Sequence, residues 1–148
     1  MGGRGRSRDI RGRAVKAATL VVSPNETERF TYAEWLRTDG YPIAEAASAR
    51  EAISQHRSGL FPLTVAELDS PALDGVELIR AVRQTKPQAQ FVVLGSGSCI
   101  DVMVAAMKAG AADLLPKPVA REALLESVHR IRSAADAPQT SLSNDLHV

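Results

Sequence analysis

The chain has 148 residues, of which 45% are hydrophobic, 24% charged and only 4% aromatic, which suits one globular domain with an aliphatic core. No apolar run reaches the ~18 residues a membrane span needs, and the opening MGGRGRSRDIRGRAVK has charge but no apolar stretch ahead of a small-residue cleavage site, so it does not read as a secretory signal. A single cysteine, Cys99, excludes a disulfide framework and makes a reducing cytoplasm the expected setting. Without a His/Asn constellation it reads as a small semi-buried residue rather than a nucleophile.

The net charge of +1 hides an asymmetry. Residues 1–16 hold Arg4, Arg6, Arg8, Arg11, Arg13 and Lys16 against Asp9, a local balance of +5, while the rest of the chain carries 12 basic and 16 acidic groups. Residues 1–17 are expected to form a disordered basic arm. Attachment to nucleic acid or another anionic surface would explain it; so would a solvated tail, since no aromatic residue is interleaved. Residues 135–148 are polar and aperiodic and read as a tail or linker.

Between these ends, strand and helix signals alternate five times. Ala18 to Val22 is a short β-branched run suited to a buried strand. Tyr32, Ala33 and Leu36 share one helical face, and Asp39-Gly40 signals the end of that helix. Tyr41 to Ala44 reads as a second strand, placed at a sheet edge because of Pro42. Ala49, Ala52, Ile53 and His56 form the next helical stripe, with His56 expected at the surface or boundary.

Leu63 to Leu68 is a third strand, followed by a turn at Ser70-Pro71 and a helix capped by Asp74, with Leu78, Ile79 and Val82 inward and an end near Lys86-Pro87. Phe91 to Leu94 reads as the fourth strand and Gly95 to Ser98 as a flexible loop. Met103, Ala106 and Met107 give the fourth helix its inner face, closed by Gly110. A fifth strand at Ala112 to Leu115, a turn at Lys117-Pro118 and a helix striped by Leu124, Val128 and Ile131 complete the pattern. The fold class expected over residues 18–134 is α/β, a doubly wound five-stranded parallel sheet. Functional groups in such folds gather at the carboxyl ends of the strands, which directs attention to Ser23-Pro24, Glu67, Gly95-Ser96 and Lys117.

Three motifs in order, Pro71-Ala72-Leu73-Asp74-Gly75, Lys108-Ala109-Gly110-Ala111 and Lys117-Pro118, make residues 18–134 resemble the CheY-like receiver domain of bacterial response regulators. The resemblance implies phosphotransfer from a histidine kinase to an aspartate at the end of the third strand. It implies an acidic pair after the first strand to hold Mg²⁺, a Thr or Ser after the fourth, an aromatic residue in the fifth and a Lys after it. It also implies a cis bond at Lys117-Pro118. Carried over onto this chain, the acceptor position holds Glu67, the switch hydroxyl position Gly95 with Ser96 beside it, the aromatic position Leu114, and the acidic pair Ser23 and Pro24. Lys117 alone matches.

Ser and Pro lack the hard anionic oxygens Mg²⁺ prefers, so Mg²⁺ binding is expected to be lost and no cofactor is expected. Glu67 carries its carboxylate one methylene too far for an in-line nucleophile, and Gly95 has no hydroxyl. The expected module is a degenerate receiver rather than an enzyme, its Glu67 carboxylate facing Lys117 either as a partial phosphate mimic or as a leftover ion pair. With chemistry removed, a signal would pass through a protein partner, a histidine kinase or output protein, or through a homodimer. The family's face for this, made by the fourth helix, fifth strand and fifth helix, draws here on Ile100, Val104, Lys108, Asp113 and Arg130. Two alternatives stand beside this: phosphorylation at Asp69 or at Glu67, and a regulatory segment of a longer DNA-binding transcription factor or kinase. A nucleotide-binding enzyme fits less well, because no Gly-rich loop follows the first strand.

Overall fold

The structure is a computed structural model and describes residues 18–68, 74–97 and 100–136. The basic arm, residues 137–148 of the tail, the Ser70-Pro71 turn, Asp69 and Cys99 lie outside the described residues.

Five strands alternate with five helices: β1 Thr19–Val22, α1 Glu26–Thr38, β2 Ile43–Ala46, α2 Ala49–Ser58, β3 Leu63–Glu67, α3 Gly75–Thr85, β4 Gln90–Gly95, α4 Ile100–Lys108, β5 Asp113–Pro116 and α5 Arg121–Asp136. All strand pairs are parallel, in the order β2-β1-β3-β4-β5. This is the expected CheY-like α/β sheet, with β2 at an edge.

Alternate strand residues face opposite layers. Leu20, Val22, Ala66, Phe91 and Val93 pack with Leu78, Ile79 and Val82 of α3 and Met103 and Ala106 of α4. Val21, Val65, Val92 and Leu94 face the other way, against Tyr32, Ala33 and Leu36 of α1 and Leu124 and Val128 of α5. Both faces of the sheet are therefore dry, which is why the strands read as unbroken apolar runs. Each buried Leu, Ile, Val or Phe contributes about 1.5–3 kcal/mol of transfer free energy.

Local chemistry sets the element ends. Asn25, Ser48 and Asp74 cap α1, α2 and α3, each side chain accepting a backbone N–H inside the first turn. Gly75 follows its cap because a Cβ there would stand 2.0 Å from Leu68 Cδ2. Gly110 ends α4 with φ of 110°, where a side chain is strained, and an added Cβ would meet Arg83 Nη1 at 2.1 Å.

Several boundaries differ from expectation. β2 begins at Ile43 instead of Tyr41; Pro42 has no N–H to donate and enters the ladder only through its carbonyl, which accepts from the Thr19 N–H at 2.9 Å. Gly95 belongs to β4 rather than to a loop, because its carbonyl accepts from the Lys117 N–H at 2.9 Å. β5 is shifted by one residue, and α5 runs to Asp136, past the expected boundary at 134. Met107 is 42% exposed rather than inward, since Met103 and Ala106 already cover the sheet side of α4.

His56 is the larger correction. It is buried, not at the boundary, with Nε2 in contact with Thr64 Oγ1 at 2.9 Å and its ring between Phe61 and Phe91. The Lys86 ammonium caps the end of α2 by donating to the carbonyls of His56 and Gly59.

Candidate functional site

The register brings four strand ends level. Val22 is paired with Ala66, Glu67 with Leu94, and Gly95 with Pro116. Ser23, Glu67, Gly95 and Lys117 thus stand side by side at the carboxyl edge of β1, β3, β4 and β5, the place expected from the sequence.

Ser23 is fully buried. Its Oγ accepts the Asn25 N–H at 3.1 Å, and its carbonyl accepts from Arg29 Nη1 at 2.8 Å. The Ser23-Pro24-Asn25 turn is spent on starting α1, with Asn25 Oδ1 accepting the Glu28 N–H at 2.9 Å. Arg29 is held in turn by Glu45 of β2 at 3.1 Å, so this corner is cross-linked by charge-assisted bonds.

Glu67 is nearly inaccessible at 3% exposure, and a buried carboxylate has to be paired. Its Oε2 lies 3.3 Å from Lys117 Nζ. Lys117 follows β5 directly, and its bond to Pro118 is cis, as expected. Ser96 is half-buried. Leu114, level with Val93 in the sheet, packs against the apolar layer beneath α3 and α4. It has no ring to move between pockets. Asp69 lies outside the described residues.

The sequence reading missed Glu28. From the first turn of α1, its Oε1 reaches Lys117 Nζ at 2.8 Å, closer than Glu67 does. The local pattern Asn25-Glu26-Thr27-Glu28 reads as a capping arrangement, which hid a contact made across 89 positions of chain. Outside this pair lies an open groove of about 440 Å³, with Thr27, Trp35 and Val119 among its walls, and through it solvent reaches the ion pair.

Pro24 offers no donor atom, Ser23 Oγ is engaged with Asn25, and both nearby carboxylates face an ammonium. This set does not fit the oxygen cage that a hard divalent cation takes. Among the described residues, no group of three or more His, Cys, Asp or Glu side chains could hold a metal.

On the opposite flank, Ile100 and Val104 of α4 are 58% and 50% exposed, with Met107 beside them. Asp113 of β5 accepts from Ser127 Oγ and from Arg130 Nη2, both at 2.7 Å. Burial pushes the Asp113 carboxyl up, but the bonds from Ser127, the Leu114 N–H and Arg130 outweigh it and hold it below the usual range.

A family model of the response regulator receiver domain matches residues 19–129. The chain belongs to the response regulator receiver family. This receiver is 28% identical over 137 residues to the transcriptional regulatory protein ZraR of Salmonella typhimurium, covering 89% of this chain and 30% of the relative. It is 35% identical over 106 residues to the response regulator MprA of Mycolicibacterium vanbaalenii, covering 72% of this chain and 46% of that protein. The receiver thus spans less than half the length of these two relatives. Among solved structures it resembles a putative response regulator from Chloroflexus aurantiacus, with a TM-score of 0.73, 28% identity, and 80% of this chain and 98% of that one covered. A response regulator receiver protein from Pseudomonas putida gives a TM-score of 0.73 at 27% identity, covering 80% and 99% of the two chains. No helix among the receiver's described residues is long and apolar enough to cross a membrane.

Proposed function

We propose that this receiver transmits a signal through protein contacts without ordinary aspartate phosphorylation. One observation carries the reading: the Lys117 ammonium, which a receiver would offer to an incoming phosphoryl group, is already shared between Glu67 and Glu28. A carboxylate supplies −1 where a phosphoryl group would bring about −1.5 to −2, so the pair is a partial and permanent stand-in for the charged state. Glu67, Gly95, Ser23 and Pro24 occupy the positions where acceptor, switch hydroxyl and acidic pair would be, which supports the same reading. No Mg²⁺ is required by it.

The output surface is α4-β5-α5. Exposed Ile100, Val104 and Met107 provide an apolar centre, with Lys108 and the Asp113–Arg130 pair as a polar rim, a composition that suits a modest interface. The occupant is a second copy, a kinase or an output protein. Because ZraR is a transcriptional regulatory protein by name, and both it and MprA are more than twice as long as the matched stretch, a place as the regulatory segment of a DNA-binding regulator accords with the comparisons.

The decisive experiment incubates the protein with acetyl phosphate or phosphoramidate and Mg²⁺ and reads its intact mass. An unmodified mass is expected. Stoichiometric phosphorylation overturns the reading, and mapping the label to Asp69 or Glu67 would identify a non-standard acceptor.

A further inference from the structure

Among the described residues six large hydrophobic side chains are exposed, and four of them, Ile100, Val102, Val104 and Met107, belong to the nine residues of α4. Apolar surface gathered on one short helix and flanked by charge marks a contact. Met103 and Ala106 are buried and fix the inner side of α4. At about 100° per residue, the opposite side is then Asp101, Val104, Ala105 and Lys108, spaced i, i+3, i+4 and i+7. The two ends of this stripe carry opposite charges. Asp101 and Lys108 are both exposed and stand ~10.5 Å apart along the helix axis, too far to pair within one helix.

The stripe is complementary to itself. Its midpoint lies between Val104 and Ala105, equally far from Asp101 and Lys108. A second α4 laid antiparallel about a two-fold axis at that midpoint sets each Asp101 against the Lys108 of the second copy, as an isologous contact requires. Ile100 comes beside the second copy's Met107, while Val104 and Ala105 meet their own counterparts. These small side chains at the crossing let the two helices approach closely. A parallel arrangement would set Asp101 against Asp101 and Lys108 against Lys108, and is disfavoured.

We infer that α4 is the self-recognition element of this receiver, packing antiparallel on the α4 of a second copy with two reciprocal Asp101–Lys108 ion pairs. The inference rests on the functional reading above and narrows its output surface to one helix and one partner. The resemblance implied a broad face of three elements; the register comes from the residues of α4. Asp113 and Arg130 stay outside the pairing, since they already satisfy one another at 2.7 Å. A nine-residue helix buries less than a standard interface, so the dimer is weak, with a Kd of ~100 µM.

The test is sedimentation equilibrium of the full chain, from ~10 µM to ~1 mM protein, in ~0.1 M salt, where a Debye length of ~10 Å leaves contact ion pairs in force. Asp101→Lys and Lys108→Asp each change one exposed side chain of α4, so both chains are expected to keep the wild-type circular dichroism. Either one alone sets like charges opposite each other twice in its homodimer, and its Kd is expected to rise about tenfold or more. Mixed one to one, the two chains restore both opposite-charge pairs in the heterodimer, and the Kd is expected to return to within about threefold of the wild type. Arg130→Ala, on α5, is expected to leave the Kd unchanged. A wild type that stays monomeric at ~1 mM, a reversed chain that dimerises as well as the wild type, a mixture no tighter than its components, or an Arg130→Ala chain weakened as much as Asp101→Lys would each overturn the inference. Should either reversed chain fail to fold, Val104→Arg decides: two cations at the crossing are expected to abolish the dimer, and an undisturbed dimer overturns the inference. Phosphodonor labelling of the wild type would sink the functional reading while leaving the mixing result as it stands, so the two failures are distinguishable.

Discussion

Glu67 and Lys117 meet at 3.3 Å across the ends of β3 and β5, two strands kept apart by β4. The pair is unequal in burial: the Glu67 side chain is 4% exposed, whereas Lys117 is 15% exposed and also meets Glu28, whose side chain is 37% exposed. Removing the ammonium is therefore expected to cost more than removing the acid. Lys117→Met is expected to lose about 3 kcal/mol or more, as for a broken buried pair, and Glu67→Ala distinctly less. Urea unfolding of both variants checks the order, and a reversed order would contradict the assigned roles.

Shortening the acid is not expected to restore chemistry. Glu67→Asp lacks metal ligands at Ser23 and Pro24 and a hydroxyl at Gly95, so incubation with a small phosphodonor is expected to leave it unlabelled. Adding acids at Ser23 and Pro24 gives the triple variant a better prospect, since it restores hard oxygen donors. Labelling of the single variant would show that the missing parts are dispensable.

His56 makes stability depend on acid. Burial, and then the charge of Lys86, push its pKa from 6.5 down to about 4. The folded state keeps the ring neutral while the unfolded chain takes up a proton below pH 6.5. Stability is thus full above that value, falls between pH 6.5 and about 4, and levels off below, for a total of about 3 kcal/mol from this group. In His56→Leu this part of the slope is expected to vanish, while stability at neutral pH drops by about 1–3 kcal/mol because the buried Thr64 hydroxyl loses its partner. Unfolding free energies measured across that pH range decide it.

Gly110→Ala is expected to destabilise by about 1–3 kcal/mol, the usual cost of a side chain in a sparsely populated backbone region. The new Cβ would also press on Arg83, whose Nε and Nη2 are held by the Ala89 carbonyl at 3.0 and 2.8 Å. Denaturant unfolding reads the loss; a change within ~0.5 kcal/mol, ordinary for a surface substitution, would refute the strain.

The output face is tested at its apolar centre. Ile100→Asp with Val104→Glu places two charges on exposed positions of α4, so folding is expected to survive while self-association or partner capture weakens. Light scattering and pull-down report on these. If both are unchanged in a folded variant, the output surface lies elsewhere.

The sequence by itself determined the alternation of elements, the edge position of β2, the Asp74 cap and the family. Each of these is written in neighbouring residues, because helical and strand periods, caps and proline effects act within a few positions. It also brought Ser23, Glu67, Gly95 and Lys117 to one end of the sheet, since parallel strands in a doubly wound fold share an end. The tertiary structure alone decided which charges meet there. Glu28 joins Lys117 only because α1 and the turn after β5 lie on the same side of the sheet, a consequence of how the crossovers wind. It likewise decided that His56 is inside, where the walls are Phe61 and Phe91, and that Met107 is outside. Burial is set by what packs opposite a residue, and that partner is fixed by the path of the whole chain.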